Sequence, residues 1–161
     1  MKTLIVAIGL FSAFSAVAGQ PFEVEFDGAG QFDADRVYSG IFTATGAINT
    51  QGTVIDSPAF TGAAIHLTRT MVTSDGESIV LKVNANHVSG AHVIPAWCPP
   101  PSSIPPETFL FPQSGNWEVV AGSGKYSQFQ GTGSWVTWVV LAAIGQPVAA
   151  YDCMVGTVHT L

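Results

Sequence analysis

The feature that most limits how this chain can fold is its lack of helical rhythm. β-Branched and aromatic residues recur in short runs, broken by Gly, by Asn49-Thr-Gln-Gly52 or by Asp75-Gly76, and no window beyond a turn or two carries a helical apolar stripe. The pattern is that of an antiparallel all-β protein. Eight strands are predicted: Phe22–Phe26, Tyr38–Ile48, Thr53–Ile55, Ala64–Thr73, Ser78–Val88, Asn116–Val120, Gly131–Leu141 and Val148–Val158. No interruption is large enough for a second domain, so residues 19–161 read as one barrel or sandwich. A single antiparallel eight-stranded barrel is the preferred form, because closure removes the edges that a sandwich must protect.

Only 10% of the 161 residues are charged, whereas 47% are hydrophobic and 11% aromatic, a balance that favours a packed core over disorder. The formal net charge of −6 leaves no basic stripe to neutralise phosphates, so nucleic acid is not an expected partner. Lys2, the apolar run Leu4–Phe14 and the small residues Ala16-Val17-Ala18 match the three parts of a secretory signal, with cleavage expected after Ala18. An uncleaved anchor is the weaker reading, because that run is shorter than the roughly 20 residues a bilayer requires. Val136–Ile144 is shorter still, so no membrane span is expected and the location is read as secreted or periplasmic.

In an exported chain, the pair Cys98 and Cys153 is expected to form a disulfide rather than a metal site or a catalytic thiol. The bridge would close a long loop, worth about 4 kcal/mol by chain entropy. Cys98 lies in Ala91–Ser114, where Pro95, Pro99, Pro100, Pro101, Pro105, Pro106 and Pro112 are expected to forbid a ladder strand. Such a loop is either a surface insertion or a lid over a barrel mouth, with Trp97, Phe109 and Phe111 as its apolar underside.

The Ser74-Asp75-Gly76 hairpin permits a register argument. A three-residue loop with Gly76 left-handed pairs Met71 with Ile79, Leu67 with Val83 and Ile65 with Ala85, which puts the apolar sets on one face. A two-residue loop would instead oppose Arg69 and Lys82. The preferred register sets Arg69 opposite Leu81 on the core-facing side, where a guanidinium needs a partner or must snorkel to the rim. In Gly131–Leu141, both faces are apolar: Trp135, Thr137, Val139 and Leu141 on one, Val136, Trp138 and Val140 on the other. The outward face needs a cover, either the Pro-rich loop or a second subunit, and a dimer or trimer is the favoured expectation.

Catalytic signatures are missing from the sequence: there is no Gly-x-Ser-x-Gly elbow and no His-Glu-x-x-His helix. Gly122-Ser-Gly-Lys125 fails as a phosphate loop, since Tyr126 follows where Ser or Thr is required. Glu23, Glu25 and Asp27 read as a solvated face, and His66, His87, His92 and His159 lack metal-ligand spacing, so neither metal nor cofactor is expected.

Trp117–Trp135 carries a tight excursion in which Gly122 and Gly124 can take positive φ, Tyr126 and Phe129 pack, and Gly131 and Gly133 allow close backbone passage. Here the chain resembles the allene oxide cyclase and dirigent-like barrel superfamily; Phe42-Thr-Ala-Thr-Gly46 and the Asp75-Gly76 hairpin are compatible with it. The resemblance implies an eight-stranded barrel with an apolar cavity, often in trimers. It carries over no catalytic residue, because no surrounding motif aligns the family's acids with positions of this chain.

Three functions follow in order. The first is a non-catalytic exported barrel binding a small apolar or amphipathic ligand, with Arg69 against its acidic end and Leu67, Met71, Leu81 and Trp97 as apolar contacts. The second is an interaction protein with a solidly packed barrel, acting through its outer face. The third is a cyclase- or dirigent-like enzyme, which requires at least two polar side chains converging inside.

Overall fold

Successive side chains of a strand point to opposite faces, so an alternating segment buries one set and solvates the other. Strand β1 (Phe22–Phe32) does this: Val24 and Phe26 are buried, while Glu23, Glu25 and Asp27 face solvent. The computed structural model describes residues 22–61, 64–86 and 95–161; the expected signal, the start of the Pro-rich segment, His87 and His92 lie outside them. After β1 come β2 (Tyr38–Gly46), β3 (Thr50–Thr61), β4 (Ala64–Thr73), β5 (Ser78–Asn86), β6 (Phe109–Gly122), β7 (Phe129–Ala143) and β8 (Gln146–Thr160). Each is antiparallel to its chain neighbour, and β8 pairs with β1 from Val158 opposite Phe22 to Ala149 opposite Gln31, closing an eight-stranded barrel.

The β4–β5 register is the one its apolar pattern demands, with Met71 opposite Ile79, Arg69 opposite Leu81, Leu67 opposite Val83 and Ile65 opposite Ala85. Gly76 has φ +85°, its N–H donates to the Thr73 carbonyl at 2.9 Å, and Thr73 N–H donates to the Glu77 carbonyl at 2.8 Å, which makes Ser74–Gly76 the loop.

Strands β1, β3, β6, β7 and β8 are longer than expected, β3 and β6 by the most. β3 continues past Ile55, and β6 begins at Phe109, inside the stretch whose prolines were expected to exclude it from a ladder. Pro112 pairs with Trp138 of β7, yet among the described residues β5 meets β6 only from Ser114 onward. Among the described residues Pro112 thus has a ladder partner on the β7 side alone, a position where a residue without an N–H is tolerated. Pro58 of β3 lies beyond the β2 pairing, which ends at Ile55, and Pro147 of β8 lies beyond the β1 pairing, which ends at Ala149.

Between β6 and β7, Gly124 takes φ +54° at the start of a short 3-10 turn (Gly124–Tyr126). Gly122 does not take positive φ; its contribution is space, since a Cβ there would stand 2.2 Å from the Tyr126 carbonyl oxygen. The Tyr126 and Phe129 rings pack edge to face at 5.3 Å. This end of the barrel is filled: Phe26 meets Trp117 edge to face at 5.9 Å, over Met71, Ile79 and Val158, all buried.

The outward side chains of β7, Val136, Trp138 and Val140, are buried too. Cys98 packs with Val136 and Trp138, its carbonyl accepts the Trp138 indole N–H at 3.2 Å, and its sulfur is bonded to Cys153 of β8. Of the two covers foreseen for that face, the chain's own Pro-rich segment is the one present, so burying it requires no second subunit.

Candidate functional site

The opposite end of the barrel is hollow. A cavity of about 480 Å³ lies toward the β1–β2 and β7–β8 turns, with apolar walls that include Ile65, Leu67, Phe111, Val139 and Ala150. Its floor is polar. Alternation on β4 points Arg69 inward between Leu67 and Met71, alternation on β3 points Asp56 to the same side as Val54, and alternation on β8 points Asp152 inward between Ala150 and Met154. Asp56 stands directly opposite Arg69 in the β3–β4 ladder.

The three side chains form one cluster. Arg69 Nε and Nη2 donate to the two carboxylate oxygens of Asp56 at 2.8 and 2.7 Å, a bidentate fork. Arg69 Nη2 also donates to Asp152 Oδ2 at 3.1 Å, and Asp152 Oδ1 accepts the Trp135 indole N–H at 3.0 Å. Nη1 lies 3.5 Å from Met154 Sδ, and the guanidinium carbon sits 5.6 Å from the centre of the Tyr38 ring. Arg69, Asp56 and Asp152 are each no more than 4% exposed. Their burial therefore holds only because each charge has a partner.

Burial works against the guanidinium's charge, but Asp152 and Asp56 outweigh it and hold Arg69 protonated above its usual range. Burial raises the Asp56 carboxyl above its usual range despite the opposing pull of Arg69. Burial, and then the negative charge of Asp152, push the Tyr38 phenol well above its ordinary value, so it stays neutral. Its buried Oη meets no hydrogen-bond partner of good geometry among the described residues; Asp152 acts on it first through charge and, less, as a nearby acceptor.

Of the residues singled out from sequence, Arg69 and Leu67 line the cavity. Met71 and Leu81 are buried in the filled part of the barrel and do not line it. Trp97 is 39% exposed and is not among the lining residues, while Phe109 and Phe111 line the cavity from strand β6 rather than from a loop. The acidic ligand end imagined for Arg69 finds that cation already engaged by two carboxylates. His66 Nδ1 lies 2.7 Å from Asn84 Oδ1, away from the cavity residues. No group of three or more metal-ligating side chains occurs among the described residues.

Sequence reasoning missed Asp56, Asp152 and Tyr38. The signal was available: Asp152 shares its parity with Ala150 and Met154 on a strand already predicted, and a core-facing arginine demands a carboxylate on such a position.

Among the described residues, no helix is long and apolar enough to cross a membrane. In comparisons with known proteins, no family model, no curated protein and no solved structure matches the chain, so the chemistry of the site is read from its own residues.

Proposed function

We propose that this protein is an exported barrel that binds a small, mostly apolar molecule in the hollow end of its interior. The single observation that carries the reading is a cavity of about 480 Å³, walled by aliphatic and aromatic side chains and ending on one polar cluster, the form in which small-molecule sites recur. The barrel is thus not packed solid, which supports the binding reading over the interaction-protein one. A disulfide between Cys98 and Cys153 accords with an oxidising compartment outside the cytoplasm. The kinship with allene oxide cyclase-like barrels rests on Trp117–Trp135 and on strand number, and remains part of the proposal.

The test is retention and exclusion. Native mass spectrometry of protein purified from its own host should show a small molecule released on denaturation, and should also report any dimer or trimer. Leu67→Trp, which fills the cavity from its wall, should abolish retention while leaving the circular dichroism spectrum unchanged. A wild-type protein that carries nothing and binds no apolar probe would end the reading.

The enzyme reading keeps one observation in its favour, the convergence of Tyr38, Asp56, Arg69 and Asp152 on the cavity floor. Turnover of a retained molecule by the wild type, lost in Asp152→Asn, would move the assignment there.

A further inference from the structure

We infer that the cavity selects a cationic amphiphile: an apolar body carrying a protonated amine, whose ammonium group seats on the Asp56–Arg69–Asp152 floor. The inference rests on the binding reading above and adds the charge of the ligand's polar end.

Charge counting comes first. One guanidinium faces two carboxylates; of the other ionisable lining residues, Tyr38 is neutral and Arg36 is exposed at the turn between β1 and β2. With both acids ionised the floor holds one negative charge in excess, so an empty site must retain a proton or leave that charge uncompensated. An arriving carboxylate would add a third negative charge in a poorly solvated place. An ammonium would neutralise the floor.

Hydrogen-bond capacity points the same way. A carboxylate offers about four lone-pair sites. Asp56 uses two on Arg69, and Asp152 uses one on Arg69 and one on Trp135, so both can still accept. The Tyr38 hydroxyl, buried and without a partner among the described residues, belongs to the same cavity lining and is a further acceptor. Three donors on one ammonium match these vacant acceptors, whereas Nε and Nη2 of Arg69 are committed to carboxylates and Nη1 faces the Met154 thioether. The apolar walls then take the rest of the molecule.

Calorimetric titration of the disulfide-bonded protein at neutral pH with n-decylamine, n-decanol and decanoate decides the matter, because the three probes share a chain and differ in head charge. The amine should bind at least about tenfold more tightly than decanoate, with the alcohol between, as one desolvated charge-assisted hydrogen bond implies. Asp152→Asn should cost the amine about tenfold in affinity and leave the alcohol within about twofold. Decanoate binding as tightly as the amine, or more so, would overturn the cationic inference while the cavity reading stood. If none of the three binds, both fall. The wild-type ranking needs no variant to fold.

Discussion

The two ends of the barrel are built from the same alternation and come out opposite. At the closed end, inward positions carry Trp117, Phe26, Tyr126 and Met71, and Gly133 leaves the room they need: a Cβ there would stand 2.5 Å from the Trp117 indole. At the other end, inward positions carry Ala150, Thr137, Leu67 and an ion cluster, whose volumes do not meet across the axis. The difference teaches that closure of a sheet does not dictate a packed interior; the sizes chosen at inward positions do.

If that contrast is right, equal truncations should have unequal effects. Trp117→Ala is expected to remove about 3–5 kcal/mol of unfolding free energy, against about 1 kcal/mol for Phe111→Ala at the hollow end, measured by denaturant titration. Comparable losses at both sites would show that the hollow end is packed in solution.

Arg69→Met comes next, at about 3 kcal/mol, because it strands two buried carboxylates. The pH signature distinguishes it from a packing defect. A carboxyl whose folded value is raised, as at Asp56, favours the folded state below its unfolded value and loses that contribution as pH rises through the folded one. The variant should therefore regain stability on acidification from neutral pH, seen as a rising thermal midpoint; a flat profile would contradict the cluster.

The smallest effect belongs to the closed end's surface. Lys125 and Thr73 bond Asp75 and hold its carboxyl down to about 2, the opposite sign. Its contribution is present above the ordinary carboxylate value and fades as pH falls towards about 2. Asp75→Asn should flatten that limb of the acid profile and barely move the thermal midpoint at neutral pH, since the pair is solvent-exposed.

Much of this was legible in the sequence. Strand number, the β4–β5 register and the inward position of Arg69 followed from period-two alternation and one turn, which are local rules. The two apolar faces of Gly131–Leu141 announced a covered outer wall, although the residues alone could not distinguish a loop from a neighbour. What escaped was non-local. Asp56 was lost because its strand was cut short at Ile55, and Pro112 of β6 was judged without knowing that among the described residues only β7 pairs with it. Trp97 was placed inside by its hydrophobicity alone, when the disulfide draws its neighbour Cys98 against the outside of the wall.

Among the described residues, Pro58, Pro112 and Pro147 each fall where a strand outruns one of its partners. Exposed backbone of that kind invites recruitment of a foreign strand, the first step towards fibres. Proline carries no N–H, so none of these three positions can donate to an added strand. All three lie on strands that line the hollow end, so the rim of the cavity carries its own safeguard against edge pairing.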